Sequence, residues 1–364
     1  MVRLRIDNID CESPEGTTVL EAAESAGINI PTLCNKEGLP HYSSCMVCMV
    51  KDNKSKCFIP SCSALVQPGM DIDASGDDVV LIRKKAVELL LSEHRAECEA
   101  QCRIVCPAGY NIPLMNRLLA AGDIETALKV SLDGLNSNEI QCVNCPGYCE
   151  NACRRKRIDT PVSIRNLQLF IFQRINQKEK LQYFADNQGA KVVKSEKIKI
   201  KSRSKNKRFN SHIGKLEASE LKEWLKECTG EDTRHREITD SESAFKEAKS
   251  CMHCDCRAAE DCRLRDIAES FSMKDPSGKL TYSSAEKKIN IQTNLIFENA
   301  KCIKCGLCVR ICEDKNDDPL LCFINRGFVS IISEPLTCDF VETMKSTAKK
   351  CIEICPTGAL AYFK

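Results

Sequence analysis

Cysteine is the residue whose number and spacing decide which chemistry this chain can perform. The 364 residues include 26 cysteines, and many of them lie in runs with only one to five residues between neighbours. Thiolates at such short spacings wrap around a metal ion or an iron–sulfur cluster. A disulfide scaffold is the alternative explanation, but such scaffolds are short, secreted chains. The cysteines therefore predict a protein that holds inorganic centres in a reducing compartment.

The rest of the composition excludes several classes of function. The net charge is +2, which gives no global field that would attract nucleic acid. No apolar run approaches the ~20 residues that span a bilayer, and the N-terminus carries no secretory signal. The glycines form no dinucleotide-binding or phosphate-binding motif. We expect a cytoplasmic protein without membrane insertion that binds neither flavin nor nucleotide by itself.

The first cysteine set lies within residues 1–76. Its members, Cys34, Cys45, Cys48 and Cys62, have the spacing C-x10-C-x2-C-x13-C. A long loop with three thiolates, closed by a fourth from a later strand, is the plant-type way to hold a [2Fe–2S] cluster. A structural zinc ion is the alternative.

This spacing, with the segments 16–23 and 30–34, resembles the N-terminal ferredoxin domain of the large iron–sulfur subunit of NADH:quinone oxidoreductase and of related iron hydrogenases. The resemblance implies a β-grasp domain.

The second cysteine set lies within residues 77–180. A predicted amphipathic helix over 79–94 leads to His94, and six cysteines follow at 98, 102, 106, 145, 149 and 153. Six thiolates are too few for two four-ligand clusters, so other side chains must complete them. Cys142 lies outside the regular spacing and is interpreted as a bystander.

A second resemblance suggests how the two clusters are completed. The motifs at 102–107, 145–153 and 161–164 are similar to the N-terminal helical domain of the glutamate synthase small subunit and of dihydropyrimidine dehydrogenase. That family carries two [4Fe–4S] clusters, one of them completed by a glutamine. The resemblance implies one cluster on Cys106, Cys145, Cys149 and Gln168, and another on His94, Cys98, Cys102 and Cys153. His94 stands near the position of a missing family cysteine, and an imidazole there should raise the reduction potential.

Residues 181–245 predict a basic linker and a short helix over 216–227. Nine basic residues and one acidic residue lie between Lys191 and Arg208. A solvated linker, a docking strip for an acidic partner protein and a nucleic-acid contact are the alternatives. No aromatic residues interleave with these charges, which disfavours nucleic acid.

Residues 246–296 contain Cys251, Cys254, Cys256 and Cys262 in the pattern C-x2-C-x-C-x5-C. Four thiolates this close indicate one centre. A [4Fe–4S] cluster is our prediction, and a four-cysteine zinc site is the alternative.

Residues 297–364 carry the bacterial ferredoxin run C-x2-C-x2-C-x3-C. Because the fourth cysteine of such a run ligates the other half's cluster, Cys302, Cys305, Cys308 and Cys355 form one complete [4Fe–4S] site. A second site would retain Cys312 and Cys351, but Lys345 and Ala348 stand where the repeat needs cysteine. An empty, packed second half is the preferred interpretation, although Cys322 and Cys338 are alternative donors.

We therefore predict an α+β multidomain chain with a β-grasp ferredoxin, a helical two-cluster domain and a bacterial-type ferredoxin. It would hold one [2Fe–2S] cluster and three to five [4Fe–4S] clusters, with zinc as an option at one site. Such a chain is expected to be a non-catalytic electron-transfer subunit of a cytoplasmic, anaerobic oxidoreductase complex. Its partners would be an FAD-containing, NAD(P)H-linked flavoprotein and another redox subunit or a ferredoxin. A self-sufficient iron–sulfur enzyme and a zinc-stapled assembly scaffold are the alternatives.

Overall fold

The computed structural model describes residues 1–39, 41–94, 97–133, 142, 145–174, 223–226, 238–259, 261–271, 286–311, 321–342 and 344–363. The chain forms two compact units, one made of Met1–Arg95 with Asp261–Phe363 and the other of Ala96–Glu260. The predicted basic segment and most of the short helix after it lie outside the described residues. The five predicted domain boundaries stay predictions.

The described α-helices, in chain order, are α1 (Val19–Ser25), α2 (Asp77–Glu93), α3 (Gln101–Val105), α4 (Ile112–Ala120), α5 (Ile124–Asp133), α6 (Tyr148–Asn151), α7 (Ile164–Gln173), α8 (Ser241–Ala248), α9 (Arg263–Ser270), α10 (Leu307–Arg310) and α11 (Ala348–Ile354). The strands are β1 (Val2–Ile6), β2 (Ile9–Ser13), β3 (Met49–Asp52), β4 (Phe58–Pro60), β5 (Asp71–Asp73), β6 (Lys287–Asn290), β7 (Leu295–Glu298), β8 (Cys322–Ile324), β9 (Ile331–Ser333) and β10 (Leu360–Tyr362). This mixture of helices and sheets confirms the predicted fold class at the level of helix and strand content.

A five-stranded mixed sheet organises the N-terminal part of the first unit, in the order β2-β1-β5-β3-β4. Strand β1 buries every second residue, as expected for a sheet with one face on a core. Asp7 and Asn8, both with positive φ, make the two-residue turn into β2, which matches the right-handed twist of a hairpin. The buried faces of β1 and α1 meet in one hydrophobic core that also includes Cys48 and Cys62.

Helix α1 begins at a complete capping box. The Thr18 hydroxyl accepts the Glu21 backbone N–H at 3.2 Å, and the Glu21 carboxylate accepts the Thr18 N–H at 2.8 Å. These bonds satisfy two of the backbone donors that a helix start leaves unpaired. The chain then runs from α1 through buried Ile30 and Leu33 into Cys34, so the cap fixes where the cysteine loop starts.

The C-terminal part of the first unit contains a three-stranded sheet, β10-β7-β6, and the hairpin β8-β9. Strand β7 is buried along its whole length, and Phe297 packs with Phe340 at a ring distance of 6.4 Å. Helix α11 closes the core of this sheet with Ala348 and Cys351.

The second unit is helical in its described residues. Helices α4, α5, α7 and α8 share one core, in which Met115, Leu119, Ile171 and Ala244 are fully buried. The backbone N–H of Ser163 donates to the Glu247 carboxylate at 2.7 Å, which joins the start of α7 to α8. None of the described helices combines the length and apolarity needed to cross a membrane.

Candidate iron–sulfur cluster sites

The structure brings the four predicted [2Fe–2S] ligands together in the first unit. Cys34, Cys45, Cys48 and Cys62 are each at most 4% exposed. The Cys48 and Cys62 sulfur atoms lie 3.1 Å apart, and Cys34 is hydrogen-bonded to Cys45. Ser61, beside Cys62, bonds the Cys48 carbonyl through its hydroxyl at 2.8 Å and so fixes the approach of these two loops.

The electrostatics of this group favour thiolates at two positions. The hydrogen bond with Cys45 lowers the pKa of Cys34 to about 5, and the hydrogen bond with Cys62 lowers the pKa of Cys48 to about 7. The same hydrogen bonds, together with burial, raise the pKa values of the partners Cys45 and Cys62. Iron bound in place of these shared protons would relieve the competition between the sulfurs.

The complete ferredoxin set also converges. Cys302, Cys305, Cys308 and Cys355 line one pocket, whose other walls include Phe297 and Leu307. Burial raises the pKa values of Cys302 and Cys305 to about 12. These two thiols would keep their protons at neutral pH unless a metal displaced them.

Arg310 joins the two cysteine loops of the first unit. Its Nη2 atom donates both to the Cys34 carbonyl at 2.8 Å and to the Cys305 carbonyl at 3.2 Å. The side chain is only 1% exposed, and its guanidinium lies over the Tyr42 ring at 5.1 Å. The cysteine-spacing patterns gave no signal for this contact, because it joins residues that are 276 positions apart.

Of the two cysteines predicted to remain at the second ferredoxin site, only Cys351 is among the described residues. Cys312 lies outside the described residues. Cys351 is fully buried in the hydrophobic core, together with Met344 and Ala348, and its sulfur lies 3.8 Å from the Cys308 carbonyl. Lys345 is exposed. This packing favours the interpretation that the second half is filled by side chains, which stays a prediction.

His94 is buried at the end of α2 in the first unit. Its Nδ1 atom lies 2.9 Å from the Lys301 carbonyl. Since a carbonyl only accepts, Nδ1 carries the proton and Nε2 carries the lone pair. Burial lowers the pKa of His94 to about 4, so the ring is neutral at pH 7. A neutral imidazole whose other nitrogen is held by a backbone carbonyl is the usual form of a metal-ligating histidine.

The co-ligands predicted for His94 belong to the second unit. There the Cys98 carbonyl accepts the Cys256 backbone N–H at 3.2 Å. Cys262 belongs to the first unit, where its sulfur lies 3.8 Å from the Pro356 carbonyl. The ligand set of His94, Cys98, Cys102 and Cys153 and the set of Cys251, Cys254, Cys256 and Cys262 therefore stay predictions.

The second unit contains a further group of thiols, which includes Cys142, the cysteine interpreted from the sequence as a bystander. Cys142 is buried, and its thiol contacts the Gln168 amide oxygen. Burial and then the charge of Cys106 raise the pKa values of both Cys142 and Cys149 to about 12. Cys145 acts on Cys142 in the same sense. The C-x2-C spacing of 142 and 145, which other cysteine sets of this chain share, was the signal that could have identified Cys142.

Gln168 is fully buried on α7, and its Nε2 atom has no hydrogen-bond partner among the described residues. A buried amide nitrogen left unpaired costs about 1–3 kcal/mol. Its amide oxygen contacts the Cys142 thiol, and a cluster bound to the neighbouring cysteines would offer sulfur atoms as acceptors for Nε2. The residues therefore fit an iron–sulfur group.

The second unit also contains a pocket with four cysteines on its wall, namely Cys102, Cys153, Cys251 and Cys254. Burial raises the pKa of Cys102, and negative charge on Cys251 and Cys153 raises it further. Within the described residues, no three histidine, cysteine, aspartate or glutamate side chains are arranged to hold a single metal ion.

Two parts of the chain are similar to known iron–sulfur domains. Residues 1–76 match the family model of a 2Fe-2S iron–sulfur cluster binding domain. Residues 86–180 match that of dihydropyrimidine dehydrogenase domain II, 4Fe-4S cluster.

Curated relatives cover only part of the chain. A component of NADH-quinone oxidoreductase from Rhizobium meliloti, designated G 2, is 27% identical over 164 residues, 41% of this chain and 19% of the relative. The HndD component of the NADP-reducing hydrogenase of Solidesulfovibrio fructosivorans is 37% identical over 103 residues, 27% of this chain and 18% of the relative. The gamma chain of the NAD-reducing hydrogenase HoxS of Cupriavidus necator is 29% identical over 119 residues, 31% of this chain and 50% of the relative. The chain thus spans half or less of each of these relatives.

A solved structure of NAD+-reducing [NiFe]-hydrogenase in the H2-reduced state has a similar fold. The match covers 99% of this chain and 87% of that chain, with a TM-score of 0.50 and 16% identity. The resemblances predicted from the sequence are confirmed by the two family models and by these relatives.

Proposed function

We propose that this chain is an electron-transfer subunit of an oxidoreductase complex, in which clusters held by its cysteines relay single electrons. An NAD(P)H-linked flavoprotein would stand at one end, and another redox subunit or a ferredoxin at the other. Support comes from the two iron–sulfur domain matches and from relatives named as subunits of NADH-quinone oxidoreductase and NAD(P)-reducing hydrogenase. We further propose that the chain itself performs no catalysis on a substrate.

The observation that carries this proposal is the bridge made by Arg310. One guanidinium nitrogen bonds the backbone of Cys34 in the proposed [2Fe–2S] loop and of Cys305 in the proposed [4Fe–4S] loop. A relay needs neighbouring centres at a fixed separation, whereas separate structural metal sites do not. The two bonds also satisfy carbonyls of two buried residues.

When bound, iron–sulfur clusters supply one-electron exchange with little rearrangement. The side chains of this protein would set the conditions for it. Cys34, Cys45, Cys48 and Cys62 would hold the [2Fe–2S] cluster in a water-poor site, and Cys302, Cys305, Cys308 and Cys355 a [4Fe–4S] cluster. Apolar walls such as Phe297 and Leu307 would exclude water and so influence the potential.

The cluster content we propose is one [2Fe–2S] cluster and three to five [4Fe–4S] clusters. We propose a β-grasp fold for residues 1–76, a helical two-cluster fold for 77–180 and a bacterial-type ferredoxin fold for 297–364. Cys106, Cys145 and Cys149 would supply three donors of one further cluster, and His94 would ligate another.

Metal analysis and partner-dependent reduction test the proposal together. Protein purified without oxygen should contain iron and sulfide in near-equal amounts, little zinc, and a visible chromophore that bleaches with dithionite. NADH or NADPH alone should leave the colour unchanged, and addition of a flavin-containing NAD(P)H dehydrogenase should bleach it. Zinc in place of iron would contradict the proposal, and so would turnover of a substrate by the chain alone.

A further inference from the structure

The pocket formed by Cys102, Cys153, Cys251 and Cys254 matches the proposed ferredoxin site of the same chain in several features. The ferredoxin pocket is also lined by four cysteines. The two pockets of the chain can therefore be compared residue by residue. Cys251 and Cys254 lie well beyond residue 180, where the match to the two-cluster domain ends.

The loop from Cys251 to Cys254 has the same local design as the ferredoxin loop from Cys302 to Cys305. The residue before the second cysteine is left-handed in both, with φ of 47° at His253 and 54° at Lys304. In both, the first cysteine N–H donates to a carbonyl three residues earlier, at 3.1 Å for Cys251 and 3.0 Å for Cys302. A non-glycine residue rarely adopts this conformation, so its occurrence in both loops indicates a shared requirement.

The packing of the second unit holds the 251–254 loop against the matched helical domain. Helix α8, which leads into it, buries Ala244 and Ala248 in the same core as α4. The Arg155 guanidinium donates to the Ser250 carbonyl at 2.6 Å. On the other side of Cys254, Asp255 forms a two-point ion pair with Arg117 of α4, at 2.9 and 3.2 Å. The loop is thus fixed on both sides of its two cysteines.

Two buried arginines, Arg154 and Arg155, also line the pocket. Each is ion-paired, Arg154 with Glu97 at 2.9 Å and Arg155 with Asp159 at 3.0 Å. Burial raises the pKa of Cys254, and Arg154 acts in the opposite sense. These ion pairs fix the polar part of the pocket wall beside the four sulfurs.

We infer that Cys102, Cys153, Cys251 and Cys254 together hold one [4Fe–4S] cluster, so that the segment after the linker completes a site of the helical domain. Each thiol loses its proton when its sulfur binds iron. This ligand set takes two cysteines from each of two sets predicted from the sequence, the set that contains His94 and the set at 251–262. The cysteines that it does not include are Cys98, Cys256 and Cys262. The inference rests on the proposed function only in that these thiolates bind iron–sulfur clusters.

The test compares single and double cysteine variants of the full chain, purified without oxygen. Cys102→Ser and Cys254→Ser should each lose or alter the same paramagnetic resonance signal, and iron and sulfide should fall by one [4Fe–4S] cluster. The double variant should lose no more than either single variant. Cys57→Ser, which changes an exposed cysteine outside every group, is the matched control and should keep all signals.

Two clusters lost in the double variant, or two different signals altered by the single variants, would overturn the grouping. A measurement on the unaltered protein covers variants that fold poorly. As a chelator removes clusters stepwise, alkylation followed by mass spectrometry should show Cys102, Cys153, Cys251 and Cys254 becoming reactive in one step. Reaction of Cys251 and Cys254 in a separate step with Cys262 would contradict it. Absence of iron from the unaltered protein would instead refute the proposed function.

Discussion

At the scale of single side chains, two residues are candidates for the fourth ligand of the cluster proposed on Cys106, Cys145 and Cys149, namely Gln168 and Cys142. The motif resemblance predicts Gln168 as a ligand, and the structure places its amide oxygen in contact with the Cys142 thiol. Cys142 was interpreted as a bystander, because cysteine spacing does not report which side chains approach a site; both assignments stay predictions. The thiolate is a stronger ligand for iron than an amide oxygen, so proximity makes Cys142 the expected fourth ligand.

Replacing each candidate separately tests this choice. Cys142→Ser should lose or alter one [4Fe–4S] signal, because it removes a sulfur ligand. Gln168→Leu should retain the cluster and shift its midpoint potential, because only a neighbouring polar group is lost. Iron analysis with a redox titration of each variant distinguishes the two. Cluster loss in Gln168→Leu together with an unaffected Cys142→Ser would show that the glutamine is the ligand.

His94 supports a second prediction at this scale. Its neutral ring, with Nδ1 held by the Lys301 carbonyl, leaves Nε2 able to bind iron. His94→Cys should preserve a cluster and lower its midpoint potential, because a thiolate adds negative charge that disfavours the reduced state. A potentiometric titration followed by paramagnetic resonance measures the shift. An unchanged set of midpoints would mean that His94 is not a ligand.

At the scale of elements, the cysteine loops depend on backbone conformations that cysteine spacing does not report. Helix α2 was predictable from its apolar periodicity, and it spans Asp77–Glu93 where a helix over 79–94 was predicted. The left-handed conformation of His253 and Lys304 in the 251–254 and 302–305 loops was not predictable, because cysteine spacing carries no information on φ. In both loops the left-handed residue precedes a cysteine that lines a pocket.

Lys304→Val should therefore weaken the ferredoxin loop, because a β-branched residue at φ of 54° is strained by about 1–2 kcal/mol. Lys304→Asn is the matched control, since asparagine tolerates this conformation and both variants lose the ion pair to Glu93. Denaturant-induced loss of the cluster absorbance should occur at lower concentration in the valine variant. Equal midpoints for the two variants would mean that the loop is not held in this conformation.

At the scale of the whole molecule, the sequence indicated the ferredoxin-type modules but not how their loops are connected. Within the first unit the connection is Arg310, which no cysteine pattern could identify because it acts through backbone carbonyls of distant loops. The pocket lined by Cys102, Cys153, Cys251 and Cys254 was also not predicted. Cysteine spacing suggests common sites only for cysteines that are close in sequence, whereas folding also brings together cysteines that are distant in sequence.

Arg310→Met should retain both clusters of the first unit but weaken the magnetic interaction between them when both are reduced, because the two loops lose their common donor. Arg83→Met is the control, since Arg83 is also buried and bonds a single carbonyl, that of Met49, at 2.7 Å. Paramagnetic resonance of the dithionite-reduced proteins measures the interaction. A magnetic interaction that is unchanged in Arg310→Met, or equally weakened in Arg83→Met, would contradict a role of Arg310 in fixing the separation of the two clusters.

If buried cysteines make this chain a multi-cluster electron relay, the isolated protein must hold several clusters that can be reduced. A redox titration of the oxygen-free protein tests this, followed by low-temperature paramagnetic resonance with iron and sulfide determined on the same sample. We expect one [2Fe–2S] signal and at least three distinct [4Fe–4S] signals, each reduced by a single electron. A spectrum without reducible clusters, or with the [2Fe–2S] signal alone, would contradict it.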